Sequence, residues 1–527
     1  MTLNWDCPYP SNRSPVFARN LVATSQPLAV QVGIDTMKAG GNAVDAAIAT
    51  AITLTVVEPN NNGIGSDAFA IVWDGRELHG LNASGRSPAA LLPARFSGME
   101  TMPTLGWDAV TVPGAVSAWV EMSTRFGKLP FDKLFAGAID YATNGYQVGP
   151  KTGFYWKNAE KQFVKFNSFM DTFTIDGKAP EIGQVMTLPD HASTLRLIAD
   201  SKGESFYRGS LAQAMVNDSK DKGGVLTMED LAGHQCDWVG TINASLYENQ
   251  LHEIPPNGQG LMALIGLGIL NELDMAQYDL DSATSVHLQI EAIRIAYANI
   301  ERHLADIDHM TVTPEQLLSK RYLETCASQI NINQANPAPS TIGASPDTVY
   351  LTTADASGMM VSMIQSNYRG FGSGIVVPGT GISMQNRGSG FVLEEGHPNQ
   401  VGGNKRPYQT IIPGFAMENS KPKMSFGVMG GHMQAQGHLQ MMVRLFVHKQ
   451  NPQAASDAPR WHLREDGKVA LESGFSAAVT SNLIDRGHEI ISDSSEHIFG
   501  GAQLIYRLAD GYCGGSDHRK EGLVAGF

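Results

Sequence analysis

The chain has 527 residues, which is enough for one large domain or for two to four ordinary ones. With 42% hydrophobic and 17% charged residues, its composition is that of a soluble globular protein. The formal net charge of −14 argues against nucleic acid as a partner, because phosphate binding requires a basic surface.

The chain shows no signal for secretion or for a membrane span. Residues 1–15 lack a basic region followed by an apolar run. The longest apolar run, Leu261 to Leu270, is about half of what a membrane span requires. We therefore expect a cytoplasmic protein with no membrane partner. The cysteines lie far apart and form no Cys-x-x-Cys pair, which favours free thiols over a zinc site, a redox couple or disulfides. They are Cys7, Cys236, Cys326 and Cys513.

Two helices are predicted near the start of the chain. The first covers Pro27 to Lys38 and is followed by Gly40-Gly41, a common helix stop. Asn42 then caps a second helix, with Asp45 three residues later as in a capping box. A structural role is therefore the default for Asp45. The second helix, AVDAAIATAITLTVV, is apolar on most sides and is expected to be buried.

The rest of the chain mixes helices with strands. The predicted elements before residue 348 are a helical pair in Val110 to Val148 with breaks at Gly127 and Pro130, a helical region at 191–220, a strand from Tyr247 to Ile254, and a helix from Thr284 to Asp306. After that point strands dominate, with helical stretches near 433–448 and 476–487. Hairpins without regular strand–helix–strand alternation favour antiparallel sheets packed under helices, an α/β fold of the α+β type.

The most informative segment is the junction between Asp347 and Thr348. Residues 331–347, NINQANPAPSTIGASPD, contain three prolines and small polar residues, as is typical of an exposed connection. Two β-branched and aromatic runs follow, Thr348 to Thr353 and Met359 to Gln365, joined by the hairpin sequence Asp355-Ala356-Ser357-Gly358. A loop of this kind before a hairpin is ordinary in proteins and by itself requires no reaction.

A chain break between Asp347 and Thr348 would change the chemistry of the threonine. Thr348 would then carry a hydroxyl nucleophile and a free α-amine, whose pKa of about 8 lets it accept the hydroxyl proton near neutral pH. A threonine paired with its own N-terminal amine is one of the known ways to activate this weak nucleophile. The alternative is an intact chain in which Thr348 begins an ordinary strand.

Gly430 and Gly431 are a second candidate for catalysis. They follow the strand-like run Met424 to Val428 and precede a helix-like run. Their backbone N–H groups could therefore face an anion or a developing oxyanion. A tight turn without chemical function is the structural alternative.

Other familiar motifs are absent or incomplete. Gly370 to Gly374 is glycine-rich but lacks the Lys-Ser/Thr of a phosphate-binding loop, and neither G-x-S-x-G nor H-E-x-x-H occurs in the chain. His432 and His438 have a poor spacing for shared ligation, so no metal site is predicted. Arg86 lies in a polar loop, where it either binds a carboxylate through two hydrogen bonds or remains a solvated charge.

Together these features resemble the γ-glutamyltransferase (glutathione hydrolase) family of N-terminal-nucleophile hydrolases. The resemblance extends from about Ala23 to Phe527 and rests on short motifs in a fixed order. The motifs are Gly40-Gly41-Asn42-Ala43-Val44-Asp45-Ala46-Ala47, Val112-Pro113-Gly114-Ala115-Val116, Leu226-Thr227-Met228-Glu229-Asp230-Leu231, Glu291-Ala292 with Ala296-Tyr297-Ala298, Gly372-Ser373-Gly374-Ile375-Val376, Gly430-Gly431, Ala458-Pro459-Arg460 and Gly515-Ser516-Asp517-His518-Arg519. This series is specific for the family but not for the substrate.

The resemblance implies an αββα sandwich, in which two stacked antiparallel sheets lie between helical layers. It also implies a precursor that cuts itself before Thr348 into a large subunit, residues 1–347, and a small subunit, residues 348–527, which stay associated. The expected substrates are small γ-glutamyl amides of the glutathione type, cleaved by hydrolysis or by transfer to an acceptor. No metal and no organic cofactor are expected.

The same match implies roles for individual residues. They are Thr348 as nucleophile and, through its free amine, as base; Gly430 and Gly431 as the oxyanion hole; Arg86 as the holder of the substrate α-carboxylate; Asn367 in the glutamyl pocket; and Gln365 at the position of a second threonine that hydrogen-bonds the nucleophile.

The match fails in the substrate pocket. Family members carry Asn-Gln-Met-Asp-Asp where this chain has Asn386-Arg387-Gly388-Ser389-Gly390, so Gly390 replaces the acid that pairs with the substrate α-amine. The usual Ser-Ser pair that grips the α-carboxylate is here Gln409-Thr410, and the segment from Phe391 to Pro407 is short for a covering lid. Since a guanidinium repels an α-ammonium, a pocket with Arg86 and Arg387 suits an anionic acyl group without an amine, such as a glutaryl chain.

Three functions remain open on the sequence alone. The first is a γ-glutamyl amide hydrolase or acyl transferase. The second is an acylase that cuts a glutaryl-like or cephalosporin-type amide with the same machinery. The third is an unprocessed protein that binds small molecules without catalysis.

Overall fold

The computed structural model describes Trp5 and residues 12–336, 348–492 and 496–527. The strands are β1 (Val16–Ala18), β2 (Leu21–Thr24), β3 (Asp67–Trp73), β4 (Leu78–Ala83), β5 (Tyr146–Gln147), β6 (Val185–Met186), β7 (Asp237–Trp238), β8 (Ile242–Leu246), β9 (Asn249–Glu253), β10 (Val349–Ala354), β11 (Met360–Ser366), β12 (Val376–Val377), β13 (Ile382–Ser383), β14 (Gly414–Glu418), β15 (Lys421–Met429), β16 (Trp461–Leu463), β17 (Val469–Leu471), β18 (Ile490–Ser492), β19 (Gly501–Leu508), β20 (Gly511–Ser516) and β21 (Leu523–Gly526).

The α-helices are grouped between these strands along the chain. They are α1 (Pro27–Lys38), α2 (Ala43–Val57), α3 (Ala115–Phe126), α4 (Ala136–Asn144), α5 (Pro150–Gln162), α6 (Asn167–Phe173), α7 (Pro189–Ser201), α8 (Glu204–Tyr207), α9 (Ser210–Asp221), α10 (Met228–Ala232), α11 (Gly260–Asn271), α12 (Ala283–His303), α13 (Pro314–Leu317), α14 (Lys320–Ala327), α15 (Met433–Met442), α16 (Pro452–Asp457) and α17 (Ala477–Asp485).

Within the described residues, two seven-stranded antiparallel sheets form the centre of the fold. The first sheet has the strand order β1-β20-β19-β15-β14-β9-β8, and the second has the order β21-β2-β10-β11-β3-β4-β7. The sheets pack face to face through a buried apolar layer, to which Phe69 and Tyr350 of the second sheet and Phe415 and Ile505 of the first contribute.

Helices cover the outer face of each sheet. Because side chains alternate along a strand, Val349 and Leu351 of β10 face a cluster that includes α1, α2 and α3, whereas Tyr350 lies between the sheets. On the first sheet, Phe426 and Val428 of β15 pack in a separate cluster with α11, α12 and α15. This arrangement is the αββα sandwich that the sequence resemblance implied, so that expectation is confirmed.

The two helices predicted near the start of the chain are α1 and α2, with the predicted ends. Asn42 and Asp45 form the predicted capping box at the start of α2. The Asp45 carboxylate also accepts the backbone N–H groups of Lys128 and Leu129. Asp45 therefore fixes the loop after α3 to the start of α2, which is a structural role.

The other predicted helical regions are present but are more divided than the sequence indicates. The region 191–220 contains α7, α8 and α9, because Lys202 and Gly203 adopt left-handed backbone that ends α7. The region 433–448 consists of α15 followed by one π-helical segment, Val443–Val447. The predicted helix from Thr284 to Asp306 corresponds to α12.

The predicted hairpin of β10 and β11 occupies the middle of the second sheet. Val349 pairs with Gln365, so Thr348 lies opposite Ser366 one step further along the register. Ser366 in turn pairs with Asp67 at the start of β3. The register therefore places Thr348, Ser366 and Asp67 in one row across three adjacent strands.

The structure bears on the expectations about membrane spans and about the cysteines. No helix in the described part of the chain combines the length and the apolar character needed to cross a membrane. Cys236, Cys326 and Cys513 are free thiols, as predicted, while Cys7 lies outside the described residues.

Candidate active site

Thr348 immediately precedes β10 and is only 1% exposed. Its Oγ1 lies 3.2 Å from Oγ of Ser366, and Nε2 of Gln434 donates to it at 3.5 Å. The Ser366 hydroxyl also accepts the backbone N–H of Tyr368 at 2.8 Å. The Thr348 hydroxyl is thus held between β11 and the first turn of α15. Asp347, the other half of the expected cleavage site, lies outside the described residues.

On β11, the side chain that contacts the Thr348 hydroxyl is Ser366 and not Gln365, which the resemblance had placed there. Gln365 faces the opposite side of β11, where its Oε1 accepts the indole N–H of Trp119 at 2.9 Å and its Nε2 donates to Asn62 Oδ1 at 2.7 Å. The cause is strand alternation, since a shift of one residue turns a side chain to the other face of a sheet.

Asp67 is a buried carboxyl in the same row as Thr348 and Ser366. It accepts the backbone N–H groups of Gly85 and Gly114, each at 3.2 Å, and Nε2 of Gln409 at 2.7 Å. Burial raises the pKa of Asp67 to about 7, although the attraction of Arg387 opposes this shift. The sequence analysis missed Asp67. The available signal was an acidic residue at the start of an otherwise apolar strand.

Three residues predicted to form the pocket, Arg387, Gln409 and Thr410, lie together beside Asp67. All three are fully buried. Nη1 of Arg387 donates to Thr410 Oγ1 at 2.9 Å, but its Nε and Nη2 have no hydrogen-bond partner among the described residues. Burial lowers the pKa of Arg387 to about 10, which leaves the guanidinium charged at neutral pH. This group therefore retains donors for an anion.

Gly430 and Gly431 connect β15 to α15, with φ angles of 123° and 56° in the range that favours glycine. Their carbonyl groups are used, because the Gly430 carbonyl accepts the N–H of Met433 and the Gly431 carbonyl accepts that of Gln434. Neither glycine N–H donates to an acceptor within the part of the chain that the structure describes. Both N–H groups thus remain available for an oxyanion.

A cleft of about 580 Å³ adjoins this loop. Thr348 does not line it. Two links connect Thr348 to the cleft wall, namely the Ser366 bond to the Tyr368 N–H and the chain from Gly431 to His432. One face of α12 contributes Tyr297, Ile300 and Glu301 to that wall. Further lining residues are Met262, Leu304, Arg369, Ser389, Gly390, Phe391 and Tyr408.

Two guanidinium groups flank the ring of Tyr368 in the cleft wall. Cζ of Arg387 lies 4.1 Å from the ring centroid, and Cζ of Arg369 lies 5.9 Å from it. Arg369 lines the cleft, and its Nε has no hydrogen-bond partner among the described residues. The sequence analysis missed Arg369, because nothing in its local pattern distinguishes it from a solvated charge.

Arg86, expected to hold a substrate carboxylate, does not line the cleft. Its Nη1 pairs with Asp306 Oδ2 at 2.8 Å, and its side chain is 40% exposed. The physical reason is that the Asp306 carboxylate, 220 residues further along the chain, already binds the Arg86 guanidinium. The position of Arg86 therefore does not support the expected role, and Arg369 is the arginine that the cleft exposes.

Asn367, expected in the glutamyl pocket, belongs to a buried network behind the cleft wall. Its Oδ1 accepts the hydroxyl of Ser66 at 2.8 Å, and its Nδ2 donates to Ser383 Oγ at 3.4 Å. Asn367 is fully buried and does not line the cleft. These contacts fix the backbone that leads to Tyr368, and a direct contact between Asn367 and a substrate stays a prediction.

Two groups of side chains in the described residues bring potential metal ligands together, and neither lines the cleft. They are His287, Glu291 and His488, and Asp74, Glu77 and His79. In the first group the two imidazoles already share a hydrogen bond of 2.7 Å, and Arg294 donates to Glu291 at 3.1 Å. His432 and His438, singled out in the sequence, have separate partners in Tyr408 and Glu253.

Comparison with known proteins places this geometry in a family. Residues 29–527 match the gamma-glutamyltranspeptidase family. The chain is 32% identical to the glutathione hydrolase-like YwrD proenzyme of Bacillus subtilis, over 98% of this chain and 100% of that protein. It is 33% identical to the oxamate amidohydrolase proenzyme of Klebsiella pneumoniae, over 98% and 99% of the two chains.

One solved structure has the same fold over the whole chain. The cephalosporin acylase from Bacillus halodurans superposes with a TM-score of 0.95 at 46% sequence identity, covering 100% of this chain and 99% of that one. The family match over nearly the whole chain agrees with the fold. The chain belongs to the gamma-glutamyltranspeptidase family.

Proposed function

We propose that the protein is a self-processing amidohydrolase that forms an acyl ester on Thr348 and releases the acyl group to water or to an acceptor amine. The proposal rests on the Thr348 hydroxyl, bound by Ser366 and Gln434, beside a loop whose Gly430 and Gly431 N–H groups have no acceptor among the described residues. Cleavage between Asp347 and Thr348 gives residues 1–347 and 348–527 and supplies the free α-amine.

The central steps of the reaction follow from these residues. The Thr348 hydroxyl attacks the amide carbonyl while the α-amine takes its proton, and the oxyanion binds to the N–H groups of Gly430 and Gly431. Collapse of the tetrahedral intermediate breaks the C–N bond, and the α-ammonium returns the proton to the leaving amine. Water then attacks the acyl ester by the same steps, which frees the carboxylic acid and restores Thr348.

We further propose that the preferred acyl group carries a carboxylate but no α-amino group, as a glutaryl chain does. Arg369 and Arg387 flank Tyr368, and Nε of Arg369 and Nε and Nη2 of Arg387 have no partner in the part of the chain that the structure describes, so these donors suit a carboxylate. At the position where the family carries the acid for the substrate α-amine, this chain has Gly390. The similarity to a protein named as a cephalosporin acylase adds support.

The second candidate is a γ-glutamyl amide hydrolase or transferase. The relative named as glutathione hydrolase-like supports it. One observation also favours it, since Glu301 lines the cleft and its carboxylate could pair with a substrate α-ammonium. Burial raises the pKa of Glu301, which works against that pairing at acidic pH.

Two p-nitroanilides test the acyl assignment, because glutaryl and γ-L-glutamyl p-nitroanilide differ only in the α-amine. We expect kcat/KM for the glutaryl compound to be at least about tenfold higher, which corresponds to about 1.4 kcal/mol. A preference of that size for the γ-glutamyl compound would reject the glutaryl assignment but leave the amidohydrolase. A chain that stays uncut and turns over neither compound would favour a non-enzymatic binding protein.

A further inference from the structure

His432, which follows Gly430 and Gly431, lines the cleft with a ring whose hydrogen-bonding state can be deduced. Nε2 of Gln259 donates to the carbonyl groups of Thr410 and Gly431, so the Gln259 amide has a fixed orientation and its Oε1 is an acceptor. The hydroxyl of Tyr408 lies 2.9 Å from that oxygen and donates its single proton to it.

Since the Tyr408 proton is used, the Tyr408 oxygen must accept at its other contact, His432 Nδ1 at 3.0 Å. His432 therefore carries its proton on Nδ1, and Nε2 carries a lone pair. The ring is also held by stacking on Tyr408, with an interplanar angle of 18°. Burial lowers the pKa of His432 to about 3, with His462, Arg387 and Arg369 acting in the same direction, so the ring is neutral at neutral pH.

The carboxyl group of Glu465 does not saturate Nε2 of His432. Oε1 of Glu465 lies 3.6 Å away, beyond ordinary hydrogen-bond distance. Burial raises the pKa of Glu465 to about 8, so this carboxyl is mostly protonated and uncharged at neutral pH. The cleft thus contains a neutral acceptor, one residue after the candidate oxyanion loop, that Gln259 and Tyr408 hold in a single tautomer.

We propose that His432 is a further catalytic residue, whose Nε2 accepts a hydrogen bond from the N–H of the departing amine and then from the O–H or N–H of the water or acceptor that replaces it. The departing amine and the incoming water or acceptor occupy the same position, because the second enters where the first has left. Arg369 lines the same cleft and Arg387 lies behind its Tyr368 wall; we assign the acyl group to these arginines and the departing amine to His432. This inference rests on the proposed amidohydrolase function.

The test compares His432→Asn with His432→Gln. Asparagine can keep the donor to Tyr408 but has no atom at the Nε2 position, whereas glutamine places an amide near that position. We expect kcat of His432→Asn to fall about tenfold or more, the loss of one hydrogen bond in the transition state, and His432→Gln to retain most of the activity. The ratio of kcat/KM for glutaryl and γ-glutamyl p-nitroanilide should stay at the parent value in both variants.

Rates are normalised to the processed fraction on a denaturing gel, so that impaired self-cleavage does not count as impaired catalysis. Parent-like kcat in His432→Asn, or an equal loss in both variants, would overturn this role. A changed acyl-group ratio at unchanged kcat would assign His432 to the acyl side and overturn it too. A parent protein that turns over no acyl amide would instead overturn the proposed function, and this role with it.

Discussion

Ser366 and Gln365 are adjacent in sequence and face opposite sides of β11, so their removal should have different consequences for catalysis. Ser366→Ala deletes the hydroxyl that lies 3.2 Å from Thr348 Oγ1. We expect kcat for amide cleavage to fall about tenfold, the value of one hydrogen bond, together with a loss of thermal stability because the buried Tyr368 N–H loses its acceptor. Steady-state kinetics and thermal unfolding of the same preparation measure both quantities.

Gln365→Ala is the matched control. It leaves the Trp119 indole N–H without its acceptor and Asn62 without its donor in a buried environment. We expect a loss of about 1–3 kcal/mol in the free energy of unfolding, because unsatisfied buried groups are costly, while kcat per folded molecule stays within about threefold. The reverse pattern in the two variants would restore Gln365 as the partner of the nucleophile.

Arg369 and Arg86 allow a second comparison between single residues. Arg369→Gln removes a cleft guanidinium whose Nε has no partner among the described residues, whereas Arg86→Gln breaks a half-exposed ion pair with Asp306. For an anionic acyl amide we expect Arg369→Gln to lower kcat/KM at least about tenfold, since a charged hydrogen bond contributes about 1.5–3 kcal/mol. Arg86→Gln should change it less than about threefold. An effect confined to Arg86→Gln would return the carboxylate-binding role to Arg86.

At the scale of elements, the loop between β15 and α15 depends on backbone that only glycine adopts readily. Gly430 has a φ of 123°, and a Cβ there would lie 3.0 Å from Cα of Gly500. We expect Gly430→Ala to reduce kcat by about 10²–10³, since a misplaced oxyanion donor costs about that much. The measurement is kcat per processed molecule.

Gly358 provides the control for backbone strain alone. It has a φ of 96° in the β10–β11 turn and does not line the cleft. Gly358→Ala should lower the melting temperature without lowering kcat of the folded enzyme by more than about twofold, because a left-handed alanine costs about 1–2 kcal/mol wherever it occurs. A similar loss of kcat in both variants would mean that Gly430 acts through general stability and not through the oxyanion.

Local signals explain which elements could be predicted from the sequence. The capping box at Asn42 and Asp45 and the hairpin turn before Gly358 are both set within a few residues, and both were predicted. The turn also fixes the register, so counting back from it would have given Ser366 and not Gln365 as the partner of Thr348. The match to the family instead placed the partner of Thr348 at Gln365, one residue too early in the chain.

Tertiary contacts explain what the sequence could not give. Arg86 and Arg369 are equally plausible carboxylate binders in a sequence, and the difference is that Asp306 approaches Arg86. Asp67 acquires its unusual environment from Gln409 and Arg387, both more than three hundred positions away in the numbering. Such pairs are decided by how the two sheets pack, which no local pattern encodes.

At the scale of the whole molecule, two of the family motifs prove to be parts of one buried charge network. Arg460 and Arg519 both contact Asp517, whose carboxylate also accepts the backbone N–H of Ala502, and Arg519 binds Glu472 through two hydrogen bonds. Although burial opposes ionisation, the two arginines hold the pKa of Asp517 well below its usual range. The network joins β20 to the segments after α16.

The sign of the pH effect follows from this depressed pKa. The contribution of Asp517 to stability is complete above the unfolded-state pKa of about 3.9 and is lost as the pH falls toward the folded-state pKa. We expect Asp517→Asn to lower the free energy of unfolding by about 3–5 kcal/mol at pH 7, with a smaller difference below about pH 4. Denaturant titrations in a Thr348→Ala background keep unfolding unimolecular. The control is Asp457→Asn, which changes a partly exposed carboxylate. An equal effect of both variants on the free energy of unfolding would contradict the network.

Strand order decides what should happen to the two chains after cleavage. In the second sheet β10 and β11 lie between β2 and β3, and in the first sheet β9 pairs with β14. Both sheets thus combine strands from before and after Thr348, so separating the chains requires breaking both sheets. Divided in proportion to residue number, the 56.7 kDa chain gives pieces of about 37 and about 19 kDa.

We expect these two pieces as separate bands on a denaturing gel, and a single species containing both in native size-exclusion chromatography. Thr348→Ala should elute at the same volume but remain one band, because it lacks the hydroxyl that attacks the preceding carbonyl. N-terminal sequencing of the smaller piece should begin Thr-Val-Tyr-Leu. Two native peaks that separate without denaturant would contradict the interleaved sheets, and a different N-terminus would remove Thr348 as the nucleophile.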